Sequence, residues 1–136
     1  MSIEILGFKI VTDRKYTKSD EWVKIENNIA IIGITDYAQR KLKNIVAVEL
    51  PEINKEVRAG ESIAVVESIK TIADVYTPVS GVIIEVNEAL LDQPELINDD
   101  PYDKGWIVKI KMKDTSELEN LLTPEQYAEL IKEREH

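Results

Sequence analysis

A run of β-branched and apolar residues, interrupted by a single lysine, occupies the middle of the chain. Residues 65–81 read VVESIKTIADVYTPVSG, with Lys70 near their midpoint and the turn signals Pro78 and Gly81 towards their end. Valine and isoleucine favour strands, whereas an unpaired lysine inside a core is strongly unfavourable. The sequence therefore predicts a hairpin whose strands contribute to a core and whose tip exposes Lys70 to water.

Other strand patterns surround this hairpin. EWVKIENNIAIIGI predicts two strands joined at Asn27-Asn28, IVAVELP predicts a strand ended by Pro51, and WIVKIKM alternates like a half-buried strand. A length of 136 residues is typical of one domain. We expect a mainly β fold, with residues 1–14 as a short lead and residues 15–136 as the domain.

Three capping signals predict short helices beside the strands. Thr35 precedes DYAQRKLK and is a good N-cap for a helix over those residues. The S-x-x-E pattern that begins at Ser116 resembles a capping box, and TPEQ, beginning at Thr123, repeats this pattern with proline at the first helical position. Between these signals, ALLDQPELINDDPYDKG is expected to be a long polar connection.

The charge balance restricts the kinds of partner. The chain has 17 basic and 26 acidic residues, a net charge of −9. Such a surface repels nucleic acid and anionic membranes, and it favours docking onto basic surfaces of other proteins. No apolar run approaches the length of a membrane span, and the N-terminus lacks the features of a signal peptide. We expect a cytoplasmic protein.

The residue types that carry much of enzyme chemistry are scarce. The chain has no cysteine, so it offers no disulfide, thiolate metal site or cysteine nucleophile. Its one histidine is His136, the last residue, which argues against a catalytic triad or a multi-histidine metal site. We therefore expect neither a resident metal nor an independent enzyme.

The residues around Lys70 leave two interpretations open on physical grounds. Lys70 is either a lysine that merely solubilises a turn or an amine presented for acylation by a modifying enzyme. Glu67 and Asp74 are equally compatible with a solvated face.

The order of several motifs favours the second interpretation. VESIKTIADVYTPVSGVIIEVNE resembles the lipoyl-attachment region of glycine cleavage system H proteins, which carry E-S-[VI]-K followed by P-[VIL]-S-G. KYTKSDEWV, IGITDYAQ, VELPE, PELINDDPYDKGWIVKIK and ELENLLTPEQY match the same family in order, so the resemblance covers residues 15–133. The Asp-Lys-Ala of 2-oxoacid dehydrogenase lipoyl domains and the Met-Lys-Met of biotin carriers are absent.

This resemblance implies a fold and a role as a carrier. The fold would be a lipoyl-domain-like barrel-sandwich hybrid of two small antiparallel sheets with short flanking helices. A lipoate ligase or lipoyltransferase would attach lipoate covalently to Lys70, within the attachment motif formed with Glu67, Ser68 and Ile69. The carrier, itself not an enzyme, would take an aminomethyl group from glycine decarboxylase (P protein) to aminomethyltransferase (T protein), and electrons to dihydrolipoamide dehydrogenase (L protein).

The family also shelters the loaded arm in a cleft on the carrier. The matching positions here are Glu21, Ala73 and Asp74. A carboxylate at such a position is suited to hold a cationic amine through a charge-assisted hydrogen bond.

The sequence departs from the family pattern at several positions. Asp20 replaces a usual histidine, Lys43-Asn44 replaces glycine and an acidic residue, and Thr71-Ile72 replaces two small residues. Two alternatives therefore stay open. One is an H-protein-like lipoyl carrier for another pathway, such as sulfur oxidation; the other is an unmodified protein-interaction module.

Overall fold

Three antiparallel sheets make up most of the chain, and the computed structural model describes all of residues 1–136. The strands are β1 (Ser2–Ile5), β2 (Phe8–Val11), β3 (Lys15–Tyr16), β4 (Glu21–Glu26), β5 (Ile29–Ile34), β6 (Ile45–Glu49), β7 (Glu56–Val57), β8 (Ser62–Ser68), β9 (Ile72–Tyr76), β10 (Gly81–Val86) and β11 (Val108–Met112). The helices are α1 (Asp36–Leu42), α2 (Ala89–Asp92), α3 (Leu96–Asp99) and α4 (Pro124–Arg134), with a 3₁₀ helix over Thr115–Asn120.

The two larger sheets share the main hydrophobic core. One has six strands in the order β3-β4-β5-β11-β10-β7, and the other has three in the order β6-β8-β9. Their apolar side chains meet in a cluster of 19 buried residues, which includes Ile32 and Ile110 from the first sheet and Val66 and Val75 from the second. The structure confirms the expected mainly β fold with antiparallel sheets and short helices.

The lead expected at residues 1–14 contains the hairpin of β1 and β2. Ile10 of this hairpin is buried in a second core cluster together with Tyr127 and Ile131 of α4. Phe8 packs its ring edge-on against Tyr37 of α1, with ring centroids 4.8 Å apart. The hairpin therefore packs against the two long helices, while the proposed division of the chain after residue 14 stays a prediction.

Two of the three predicted helix starts are confirmed. The Thr35 hydroxyl accepts a hydrogen bond from the Ala38 N–H, and Thr123 forms a full capping box with Gln126. The capping box expected at Ser116 is wrong. Asp114 caps a 3₁₀ helix there instead, because its carboxylate accepts hydrogen bonds from both the N–H and the hydroxyl of Ser116.

The segment expected to be a long polar connection contains the single-turn helices α2 and α3. Each has one buried side chain, Leu90 in α2 and Ile97 in α3, and both belong to the main core. A single turn gives no apolar periodicity, so sequence patterns do not reveal such helices. None of the helices combines the length and the hydrophobicity needed to cross a membrane.

Candidate functional site

Lys70 lies at the tip of the hairpin formed by β8 and β9. The two strands pair from Ser62 opposite Tyr76 to Glu67 opposite Ile72, and the turn between them exposes Lys70. The Lys70 ammonium forms no ion pair within the chain. An exposed lysine at a hairpin tip is what the residue pattern predicts.

Ser68 fixes the conformation of this tip. Its buried hydroxyl accepts hydrogen bonds from the N–H groups of Lys70 at 3.3 Å and Thr71 at 3.2 Å. The same hydroxyl donates to the Thr71 carbonyl at 3.2 Å, which also accepts from the Ser68 N–H at 2.8 Å. Serine favours such tight local turns. Lys70 therefore projects from an ordered turn.

A second support for the tip comes from the loop before β6. The Asn44 carbonyl accepts a hydrogen bond from the Ile69 N–H at 3.1 Å. Asn98 of α3 holds this loop from below, since its side chain donates to the Lys43 carbonyl and accepts from the Ile45 N–H, both at 2.9 Å. Sequence reasoning missed Asn98, because nothing in the polar segment around it indicates a contact with the loop before β6.

A cavity of about 190 Å³ lies between α1 and the β8–β9 hairpin. Seven of its twelve lining residues are hydrophobic, including Leu42 and Val66. Glu21, Ala73 and Asp74, the three residues expected to form an arm cleft, all line this one cavity. The fold therefore brings the three together, although β4 and β9 belong to different sheets.

Glu21 is buried and its carboxylate is already hydrogen-bonded. Oε1 accepts from the hydroxyls of Thr17 and Ser19, and Oε2 accepts from the Tyr76 N–H at 3.1 Å. Burial raises the pKa of the Glu21 carboxyl above its usual value, against the lowering effect of these hydrogen bonds. The bond to Tyr76 joins the six-stranded sheet to β9, so Glu21 connects the two sheets as well as lining the cavity.

Ala73 and Asp74 differ from Glu21 in exposure. Ala73 is half-buried, and Asp74 is exposed and accepts a hydrogen bond from the Ser62 hydroxyl at 2.7 Å. Asp74 is therefore the solvent-accessible carboxylate of the three positions, and Ser62 orients it. The partnership with Ser62 has no sequence signature, since it crosses between strands.

Asp20 links the cavity to the C-terminal helix. Its Oδ1 accepts from the Tyr127 hydroxyl at 2.9 Å and from the Arg134 guanidinium at 2.7 Å. Asp20 has a φ of 72°, a left-handed conformation that aspartate tolerates better than most residues. Asp20, which departs from the family pattern, thus forms an ion pair with Arg134 at the end of α4.

A cation at the cavity is also paired with that end of α4. The Lys41 ammonium lies 3.0 Å from the Glu135 carboxylate, which accepts a hydrogen bond from the Tyr37 hydroxyl at 2.8 Å. The pKa of Glu135 is lowered by the hydrogen bonds from Lys41 and Tyr37. Glu135 therefore neutralises Lys41, and Arg134 neutralises Asp20.

Comparison with known proteins gives a consistent result. The sequence model of a family described as glycine cleavage H-protein matches residues 14–134. A probable glycine cleavage system H protein from Aeropyrum pernix is 57% identical over 136 residues, which cover 98% of this chain and 95% of that protein. A probable glycine cleavage system H protein 1 from Saccharolobus solfataricus is 57% identical over 127 residues, 92% of this chain and 93% of that protein.

The fold is similar to that of a solved glycine cleavage system H protein. The crystal structure of a glycine cleavage system H protein from Mycobacterium marinum superposes with a TM-score of 0.82 at 40% sequence identity. The match covers 88% of this chain and 97% of that one.

Proposed function

We propose that this chain, which belongs to the glycine cleavage H-protein family, carries lipoate on Lys70 and shuttles an aminomethyl group during glycine cleavage. The observation that carries the proposal is the exposed, unpaired ammonium of Lys70 on a turn held by Ser68. A modifying enzyme can enclose such a tip without unfolding the strands behind it. The cytoplasmic location stays a prediction.

The residues around the tip fit a lipoyl group. Lys70 offers a free amine for an amide bond, and the neighbouring cavity of about 190 Å³ has a largely apolar lining suited to a dithiolane and its hydrocarbon chain. Ala73 and Asp74 follow Lys70 by three and four residues, roughly 10–13 Å along an extended strand. The attachment point and the cavity therefore belong to the same hairpin.

Attachment requires a lipoate ligase or lipoyltransferase that supplies lipoate as an activated acyl donor. The Lys70 amine, after losing a proton to that enzyme, attacks the carbonyl carbon of the donor. An amide C–N bond forms, and the bond between the carbonyl carbon and the leaving group breaks with its electron pair. An ordered turn favours this step because the backbone that presents the amine has a fixed conformation.

When bound, lipoate supplies a disulfide that accepts the aminomethyl group and two electrons as glycine decarboxylase (P protein) releases carbon dioxide from glycine. Asp74, an exposed residue of the edge strand β9 at the rim of the cavity, would hold the cationic amine of that cargo through a charge-assisted hydrogen bond. Oε2 of Glu21, which accepts only the Tyr76 N–H, has a lone pair left for a second bond. Aminomethyltransferase (T protein) and dihydrolipoamide dehydrogenase (L protein) are the proposed later partners.

The direct test is the intact mass of the protein after expression with lipoate. We expect an increase of one lipoyl group that disappears in Lys70→Arg and persists in Lys111→Arg, a control on an exposed strand lysine. An unmodified wild-type chain would instead support an interaction module. A modified Lys70→Arg variant would place the attachment at another lysine.

The cargo is tested separately with fully lipoylated protein. With glycine decarboxylase present, we expect glycine-dependent exchange of carbon dioxide, and we expect Asp74→Asn to reduce the lifetime of the loaded arm. Absence of exchange from lipoylated protein would favour a carrier for another pathway, such as sulfur oxidation. The names of the relatives from Aeropyrum pernix and Saccharolobus solfataricus support the glycine pathway.

A further inference from the structure

The three-stranded sheet has one face turned away from the core, here called the outer face. Cross-strand partners share a face, and so do residues two apart along a strand. The register therefore gives the outer face two rows across the strands, followed by Tyr76 of β9. These rows are Ala47, Glu67 and Ile72, and then Glu49, Val65 and Asp74.

The outer face and the adjacent turn expose large apolar side chains, two of them beside Lys70 and one at the far end of β9. Ile72 and the adjacent turn residue Ile69 are each 67% exposed, and Tyr76 is 40% exposed. The opposite face of the sheet, with Val66 and Val75, already supplies the core. Single exposed hydrophobic residues are ordinary, but a group of them beside one functional lysine indicates a contact surface.

The charges on the outer face have one sign. Glu49, Glu67 and Asp74 are exposed, and none forms an ion pair within the chain. Lys70 is the only basic residue in β6, β8, β9 and the turn that joins β8 to β9. A partner that covers this face therefore meets apolar side chains among uncompensated carboxylates.

We infer that the outer face is the docking surface for the enzyme that acylates Lys70, and that this enzyme presents an apolar recess bordered by lysine or arginine side chains. This docking surface rests on the proposed function and on the short reach of the Lys70 side chain. A lysine amine extends only about 6 Å from its Cα, given bonds of roughly 1.5 Å. An enzyme acting on that amine comes close to the exposed Ile69 and Ile72, one and two residues from Lys70, whereas an enzyme acting at the far end of an attached arm need not.

The test measures acylation kinetics on the unmodified protein, using a lipoate ligase that modifies the wild type, with lipoic acid and ATP. For Ile72→Ser we expect roughly a tenfold rise in KM for the carrier with kcat little changed, since the lost contact acts on binding. Ile53→Ser is the matched control: Ile53 is 48% exposed and lies between β6 and β7, outside the three-stranded sheet. Equal melting temperatures establish that both variants are folded.

Charge is tested by a second measurement. We expect KM for the wild-type carrier to rise with NaCl concentration, and we expect this dependence to weaken in the double variant Glu49→Gln, Glu67→Gln. Such a result supports a basic border on the enzyme.

The outcomes separate this inference from the proposed function. If the wild type is not modified at Lys70, the proposed function fails. If the wild type is modified but Ile72→Ser and Ile53→Ser have the same KM, the docking surface is overturned while the carrier role stands. The docking surface is also overturned if Ile72→Ser is acylated normally but, once lipoylated, reacts more slowly with glycine decarboxylase. In that case the outer face would serve another partner.

Discussion

Lys70 precedes one end of β9, the Glu21 carboxylate of β4 contacts the other end, and the two side chains have opposite environments. The Lys70 amine is exposed and unpaired, and the turn beneath it is held mainly by hydrogen bonds between residues at most three apart. The Glu21 carboxylate is 1% exposed and accepts three hydrogen bonds, one of them from Tyr76 at the far end of β9.

The contrast shows how a carrier can combine a reactive tip with a stable frame. The buried Glu21 side chain bonds β9 to the six-stranded sheet, so the base of the hairpin is fixed. At the tip, local hydrogen bonds fix the backbone while the lysine side chain is left free. Changes at the base should therefore reduce stability, and changes at the tip should reduce modification.

The largest effect on stability is expected for Glu21→Ala. The substitution removes a side chain that is 1% exposed and leaves the part-buried Tyr76 N–H without its acceptor, so the free energy of unfolding should fall by about 3 kcal/mol. Urea unfolding at neutral pH measures this change. Glu67→Ala, which removes an exposed carboxylate of β8, should alter stability by no more than about 0.5 kcal/mol. Equal effects would show that Glu21 does not anchor the sheets.

A smaller effect is expected for Ser68→Ala at the tip. Loss of the hydroxyl that accepts hydrogen bonds from Lys70 and Thr71 should lower the free energy of unfolding by about 1.5 kcal/mol. It should also slow lipoylation of Lys70. Thermal unfolding and the time course of the mass shift measure the two effects. Thr71→Ala, at an exposed neighbouring position, is the control; a Ser68→Ala protein acylated at the wild-type rate would contradict the role of the turn.

Lys43→Gly should increase stability. Lys43 ends α1 with φ 67° and ψ −150°, a conformation that favours glycine, and it precedes the Asn44 carbonyl that supports the tip. Relief of this strain stabilises the folded state, while the flexibility of glycine in the unfolded chain offsets part of the gain. The free energy of unfolding should rise by about 1 kcal/mol. A higher melting temperature is the readout. Lys41→Gly inside α1 should be destabilising by a similar amount, and matching losses in both variants would argue against strain at Lys43.

The smallest predicted effect is a dependence on pH. Because the folded-state pKa of Glu21 is raised, the folded state binds a proton more readily than the unfolded state does. The contribution of Glu21 to stability is thus fully present below its ordinary pKa and is lost as pH rises through the folded value. The stability of the wild type relative to Glu21→Gln should therefore decrease from pH 4 to pH 7, as measured by urea unfolding; an increase would reverse the assigned direction.

The sequence predicted the local features of this molecule well. Exposure of Lys70 follows from one lysine within a β-branched run, and the helix caps at Thr35 and Thr123 follow from hydrogen bonds to residues three positions away. The same reasoning failed at Ser116, because Asp114, two residues earlier, competes for its N–H. The motif order identified the family and the positions Glu21, Ala73 and Asp74, whose roles in holding an arm stay predictions.

What the sequence determined by itself is the set of short-range choices: where strands turn, where helices begin, and which lysine stands in water. Only the tertiary structure showed that Glu21 bonds to Tyr76, that Asn98 supports the loop beneath the tip, and that Asp20 pairs with Arg134. The physical reason is separation along the chain. Contacts within a turn depend on a few neighbouring residues, whereas contacts between sheets exist only after the core has brought distant segments together.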